Sequence, residues 1–154
     1  MLTKLYKKIK LLLSYMLGHK RQVAAAIIEK DSKILIAKRR KTDTLGGKWE
    51  FPGGKVEPGE TPEACLRREL KEEFGVDTEI GEFFTSTRFI YYLVPIDLLS
   101  YHVRHLSGEF KTHDHDEIAW VSADKLQEYD LVKADRPIAR ALLTFKDQGS
   151  KIFK

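Results

Sequence analysis

Three carboxylates, Glu69, Glu72 and Glu73, are spaced by three and four residues in the run Arg68-Glu69-Leu70-Lys71-Glu72-Glu73. If the run is helical, that spacing places all three on one face. Like charges so arranged repel one another, and a solvated helix would usually interleave bases between them. A hard divalent cation makes the same arrangement favourable, because Mg²⁺ takes oxygen ligands and bridges carboxylates to substrate phosphates. Just upstream, the pair Gly53-Gly54 permits unusual backbone dihedrals and a close approach to a metal or phosphate. Lys55, Arg39 and Arg40 are cations able to neutralise phosphate oxygens. Taken alone, an acidic helical face is more often solvated surface. The Gly-rich loop at a fixed distance from it favours a phosphate-handling site.

From Gly54, five residues lead to Glu60 and seven more to Arg68-Glu69-Leu70, then Lys71, Glu72-Glu73, Phe74, Gly75 and Val76. This resembles the complete box of the Nudix family, G-x5-E-x7-R-E-U-x-E-E-x-G-U, where U is a bulky aliphatic residue; no position departs. The approach Trp49-Glu50-Phe51-Pro52-Gly53-Gly54-Lys55 resembles the MutT branch, which acts on nucleoside triphosphates. The resemblance covers residues 22 to about 146. It implies that Glu72 and Glu73 bind divalent metal with help from the Gly53 carbonyl, and that Glu69 completes the metal site or orients the attacking water. Arg68 would hold the carboxylates in shape by ion pairing, and Glu60 would brace the loop against the helix or join the metal site. Gly54 and Gly75 are structural positions of the box.

The implied enzyme is a Mg²⁺-dependent pyrophosphohydrolase, with Mn²⁺ as a substitute ion. It would convert nucleoside triphosphates, oxidised or non-standard ones included, to monophosphate and pyrophosphate. The alternatives are a Nudix hydrolase of dinucleoside polyphosphates or nucleotide sugars, and a non-catalytic nucleotide-sensing module. Modules of the latter kind typically lose box carboxylates, all of which are present here.

Farther along, His113-Asp114-His115-Asp116-Glu117-Ile118-Ala119-Trp120 resembles the family segment in which an acid lies six residues before a Trp. That register makes Asp114 an extra metal ligand or base, against the reading of a solvated acidic loop. His113 and His115 are weak as soft-metal ligands, because no other ligands stand at suitable spacing. In Ala134-Asp135-Arg136-Pro137, Asp135 resembles the base-reading residue of cytidine-nucleotide and broad-range members. It equally reads as the N-cap of a last helix.

These residues must be held by a single domain. The chain has 154 residues, enough to bury a core without disulfides or a structural metal. Its 42% hydrophobic and 32% charged content excludes both a disordered chain and an integral membrane protein. Cys65, the sole cysteine, cannot form an intramolecular disulfide, suits a reducing cytoplasmic setting, and reads as a small buried hydrophobe. The net charge of +4 divides unevenly. Residues 1–21 carry six bases and no acid, while the remainder carries 21 bases against all 23 acids. The body therefore shows no clustered basic face for a nucleic acid polymer, and its expected partner is a nucleotide.

In the leader, Leu2, Leu5, Tyr6, Ile9, Leu12, Leu13 and Met16 form one helical stripe. Such a helix packs on its own domain or a second copy, or lies on an anionic membrane surface. Residues 1–21 thus form a basic amphipathic helix and 22–154 the hydrolase domain, as monomer or homodimer. Strands are expected at 23–28 and 33–37 around Lys30-Asp31-Ser32, with two or three more from Val76 to about Leu106 and one at 118–121. Thr61-Pro62 opens a helix that Gly75 can close; a short helical turn follows Ser122. A final helix runs from Pro137 to Lys146, with Ile138, Leu142 and Phe145 inward. The pattern is α+β, an α/β/α sandwich with a mixed sheet flanked by helices.

Overall fold

The computed structural model describes residues 2–17 and 21–148; the rest of the two expected units, residues 1, 18–20 and 149–154, lies outside the described residues. Strands β1 (Gln22–Lys30) and β2 (Lys33–Arg39) form a hairpin. Its two turn residues, Asp31 and Ser32, have φ of 51° and 61°, the conformation a tight hairpin with right-handed twist requires. β3 (Trp49–Glu50) pairs with β2, and β4 (Gly53–Lys55) pairs antiparallel with β1. β5 (Asp77–Tyr91) and β6 (Val94–Ser107) make one long antiparallel pair, and β7 (His115–Val121) returns along β2. Among the described residues, the one parallel pairing between strands is β1 with β6, Gln22 opposite Asp97 through Ile28 opposite Val103. The result is a mixed sheet in the order β3-β2-β1-β6-β5, with β4 and β7 added to β1 and β2.

Alternation along β1 and β2 sends side chains to two separate cores. Ala24, Ala26, Ile28, Leu35 and Ala37 face the helix α2 (Pro62–Phe74), which contributes Cys65, Leu66, Leu70 and Phe74. Ala25, Ile27, Ile34 and Ile36 face α3 (Arg136–Asp147), which contributes Ile138, Ala139 and Leu142. Phe145, expected beside them, is half-buried and meets Phe84 edge-on at 5.6 Å between ring centroids. The α/β/α expectation therefore holds, and Cys65 is fully buried.

The ends of α2 follow their chemistry. Thr61 Oγ1 accepts a hydrogen bond from Ala64 N at 3.1 Å, Pro62 occupies the first turn, and Gly75, at φ 70°, donates its N–H to Lys71 O. Short 3₁₀ turns at Leu126–Glu128 and Lys133–Asp135 lead into α3. The leader is helical over α1 (Leu2–Met16). Its apolar residues lie largely exposed rather than packed on the domain. No helix among the described residues is long and apolar enough to cross a membrane.

Candidate active site

The platform of the site is β4 laid against β1, with α2 packed over it. A β-carbon on Gly53 would stand 1.9 Å from the carbonyl oxygen of Ala24, and Gly53 has φ 156°. No side chain fits there without moving backbone. A β-carbon on Gly54 would instead meet a side chain, the Glu69 carboxyl group, at 2.5 Å from its Cδ. The two glycines thus have different purposes, one seating the strand and the other leaving room for a carboxylate.

Arg68 organises the acidic face. Its Nε and Nη2 donate to the two oxygens of Glu60 at 2.8 and 2.9 Å, and Nη1 donates to Glu69 Oε1 at 2.7 Å and to Glu72 Oε2 at 3.4 Å. Nη2 also reaches the Lys55 carbonyl at 3.4 Å. This fork geometry matches carboxylates two atoms at a time. The Arg68 hydrogen bonds, with one from the Glu57 N–H, hold the Glu60 carboxyl down at about 2. Hydrogen bonds from Arg68 to Glu60 and Glu69 in turn raise the affinity of Arg68 for its proton. Cys65 Sγ lies 3.4 Å from the Lys55 carbonyl beneath the same loop, and burial pushes its thiol up to about 12. It is an inert packing group.

Glu73, one turn beyond Glu69, is the odd member of the face. One of its carboxylate oxygens is buried with no hydrogen-bond partner among the described residues. Burial first, then Glu69, Glu50 and Asp114, push the group up to about 9. Glu72, by contrast, is exposed.

Glu50 completes the acidic wall and was not a candidate from sequence, since it falls outside the box. Its Oε2 accepts from Arg39 Nη1 at 2.9 Å, and its Oε1 accepts from His115 Nε2 at 3.0 Å. The His115 ring stacks on Phe74 of α2, with centroids 5.2 Å apart and planes at 12°. The only available signal was its place in the approach to Gly53-Gly54.

The donors fit a hard divalent ion. They are all oxygen, their negative charge exceeds that of the cations among them, and a buried Glu73 oxygen lacks a partner. As the side chains lie, no three Asp, Glu, His or Cys among the described residues converge on a metal position. Glu69 and Glu72 each engage Arg68 through one oxygen, and the second oxygen of each carboxylate is the one that could turn to a metal.

The remaining candidates lie around this centre. Asp114 is exposed on the loop before β7, and its charge is felt by both Glu73 and Arg40. Arg40 is exposed and paired with Asp43 at 3.3 Å. Arg39 is engaged by Glu50 and the Thr44 carbonyl. Lys55 is exposed at the end of β4. His113 is exposed, while His115 is buried and braces Glu50.

Asp135 corrects one expectation. It precedes α3 in helical conformation and its side chain makes no capping bond. Its Oδ2 instead accepts from the backbone N–H of Phe51 at 2.8 Å. The bend between β3 and β4 brings that N–H to it, which excludes the N-cap reading. Asp135 is 6% exposed, and burial pushes its carboxyl up to about 7 against the Phe51 hydrogen bond. Glu50 raises both Asp135 and Glu73, so its charge is felt by the two acids alike.

Comparison with known proteins agrees with this geometry. The family model of the NUDIX domain matches residues 18–142. The CTP pyrophosphohydrolase of Escherichia coli (strain K12) is 38% identical over 125 residues, covering 81% of this chain and 93% of that protein. The 8-oxo-dGTP diphosphatase of Haemophilus influenzae (strain ATCC 51907 / DSM 11121 / KW20 / Rd) is 34% identical, covering 79% and 90%. Among solved structures, the DNA mismatch repair protein MutT from methicillin-resistant Staphylococcus aureus 252 superposes with a TM-score of 0.66 at 34% identity, covering 82% and 98%. A full box on an α/β/α frame, with relatives matched over nearly their whole length, makes this chain a member of the Nudix family, a MutT-like hydrolase of phosphoric anhydrides.

Proposed function

We propose that the protein hydrolyses nucleoside triphosphates, oxidised or non-standard ones included, to nucleoside monophosphate and pyrophosphate with Mg²⁺ as cofactor. The observation that carries this reading is the α2 face itself: Glu69, Glu72 and Glu73 together, one of them with an unpartnered buried oxygen. Glu69, Glu72 and Glu73, the Gly53 carbonyl and Asp114 would hold Mg²⁺, or Mn²⁺ in its place. When bound, the ion supplies positive charge at the phosphoryl oxygens and acidifies nearby water. Glu69, seated over Gly54, orients water toward phosphorus. Arg68 fixes that carboxylate against Glu60 and so keeps the loop and helix in register. Lys55 and Arg40 draw the phosphate chain in, and Arg39 steadies Glu50 in the wall.

Asp135 accepts an amino-group hydrogen from the base while Phe51 N–H holds its other oxygen. An exocyclic amino group is the feature a carboxylate reads on cytosine, and the CTP pyrophosphohydrolase relative supports a cytidine nucleotide among the substrates. The 8-oxo-dGTP diphosphatase relative supports oxidised purines. No feature among the described residues favours dinucleoside polyphosphates or nucleotide sugars.

The test is a nucleotide panel with purified protein and Mg²⁺, reading pyrophosphate and orthophosphate separately. Pyrophosphate from one or more triphosphates is expected. Orthophosphate alone, or turnover of nucleotide sugars only, would overturn the proposal.

A further inference from the structure

We propose that α1 and the tip of the β5–β6 hairpin form one docking surface for an anionic lipid bilayer, on which the protein lies without crossing it. The first observation is the stripe on α1. Leu5, Ile9 and Leu13 remain 55%, 47% and 54% exposed, although they recur at the helical period that normally marks a buried face. The second comes from another part of the chain. The hairpin turns at Tyr92 and Leu93, with φ of 48° and 66°, where Gly, Asn or Asp would fit with less strain. Ile90 and Leu93 are 64% and 71% exposed there, beside the half-exposed rings of Tyr91 and Tyr92. Apolar side chains thus occupy turn positions that favour polar or glycine residues, and they do so without contributing to either core. Lys8 Nζ lies 6.0 Å from the Tyr92 ring centroid, so helix and hairpin tip are neighbours on one surface.

Charge selects the occupant. The helix carries Lys4, Lys7, Lys8 and Lys10, and no acid occurs before Glu29. At the helical pitch Lys8 and Lys10 border the two edges of the apolar stripe, where their stems can lie along lipid while the ammonium groups reach the headgroups. Lys4 and Lys7 fall on the opposite side. Juxtaposed bases of this kind are attracted to anionic leaflets and little to neutral ones. A second copy is the poorer occupant. Pairing two such helices would gather their lysines without the carboxylates that ordinarily flank a helix–helix seam. Tyrosine at the hairpin tip suits the boundary between acyl chains and headgroups, since its ring is apolar and its hydroxyl polar.

The experiment is co-sedimentation of the full chain with vesicles of phosphatidylcholine alone and of phosphatidylcholine mixed with phosphatidylglycerol, at low and high salt. Binding to the mixed vesicles that weakens with salt is expected. Replacing Lys8 and Lys10 together by Gln should lower the partition constant about thirtyfold, and replacing Ile9 and Leu13 together by Gln about tenfold or more. Leu93→Asn is the decisive variant, because Asn tolerates the left-handed backbone. It should preserve or raise the melting temperature while weakening vesicle binding. Nucleotide hydrolysis in solution should be unchanged in all three. Equal binding to neutral vesicles, or none to anionic ones, would overturn the proposal. So would a dimer in vesicle-free buffer, seen by sedimentation velocity, that the Ile9 and Leu13 replacements dissociate.

Discussion

The Glu69 carboxyl group fills the space that a side chain at Gly54 would need: a β-carbon at Gly54 would lie 2.5 Å from Glu69 Cδ and 2.7 Å from its Oε1. Loop and helix are therefore fitted to one another at a single contact, and the fit involves a carboxylate that the proposed reaction uses.

Gly54→Ala should consequently displace Glu69 and lower kcat on the order of a hundredfold, with a small change in melting temperature because a side chain can yield. Gly53→Ala meets the Ala24 backbone at 1.9 Å and should destabilise the fold by about 3 kcal/mol or more. Steady-state kinetics and denaturant titration of the two variants side by side check the contrast. Equal stability loss in both would refute it.

Glu73→Gln should reduce turnover at least about a hundredfold without unfolding the protein. Burial and neighbouring acids already push this carboxyl up to about 9, so the native state favours its neutral form. A neutral amide of the same shape should leave the melting temperature in chelator unchanged or raised. Retained activity would exclude a metal role for Glu73.

The Glu60–Arg68 pair predicts an acid limb. The Glu60 carboxyl is held at about 2 against an ordinary 4.5, so its contribution is present above pH 4.5 and is lost as pH falls toward 2. Glu60→Gln should flatten stability over that window, as measured by denaturant midpoints across pH. An unchanged acid limb would argue against the pairing.

Asp135 predicts the opposite slope. Its carboxyl is raised to about 7 from 3.8, so the stability it lends is full below pH 3.8 and is lost as pH rises through about 7. Asp135→Asn should remove that slope and stabilise the protein at pH 8, by about 4 kcal/mol at most. In the nucleotide panel the same variant should shift preference among bases. A shift in stability with no change in preference would assign Asp135 a purely structural role.

The acidic helix and the loop before it were legible because their geometry is local. Spacing alone places Glu69, Glu72 and Glu73 on one face, and Thr61, Pro62 and Gly75 announce the ends of α2. Glu50 was not legible. Its partner His115 lies 65 residues away, and nothing near Glu50 indicates that a strand will return beside it. Asp135 was ambiguous for the same reason: a helix start is visible in the chain, whereas the Phe51 N–H, 84 residues distant, is not. The aromatic run after Val76 left its strand number open because the turn at Tyr92-Leu93 uses none of the usual turn residues. The helical period of α1 was readable, but a period shows which side chains share a face and not what covers them.

The parallel pairing of β1 with β6 has a kinetic consequence. Gln22 and Asp97 are partners across 74 intervening positions, and β4 and α2 lie wholly between them in the chain. Closing so long a loop is slow compared with forming a hairpin or a helix. During synthesis the carboxylate helix emerges from the ribosome well before β6 can anchor β1, the strand against which Gly53 and Gly54 are seated. A nascent chain that stops short of β6 would carry every letter of the box on a β1 whose β6 neighbour is still missing. Possessing the motif and possessing the site are thus separate events in the life of the chain.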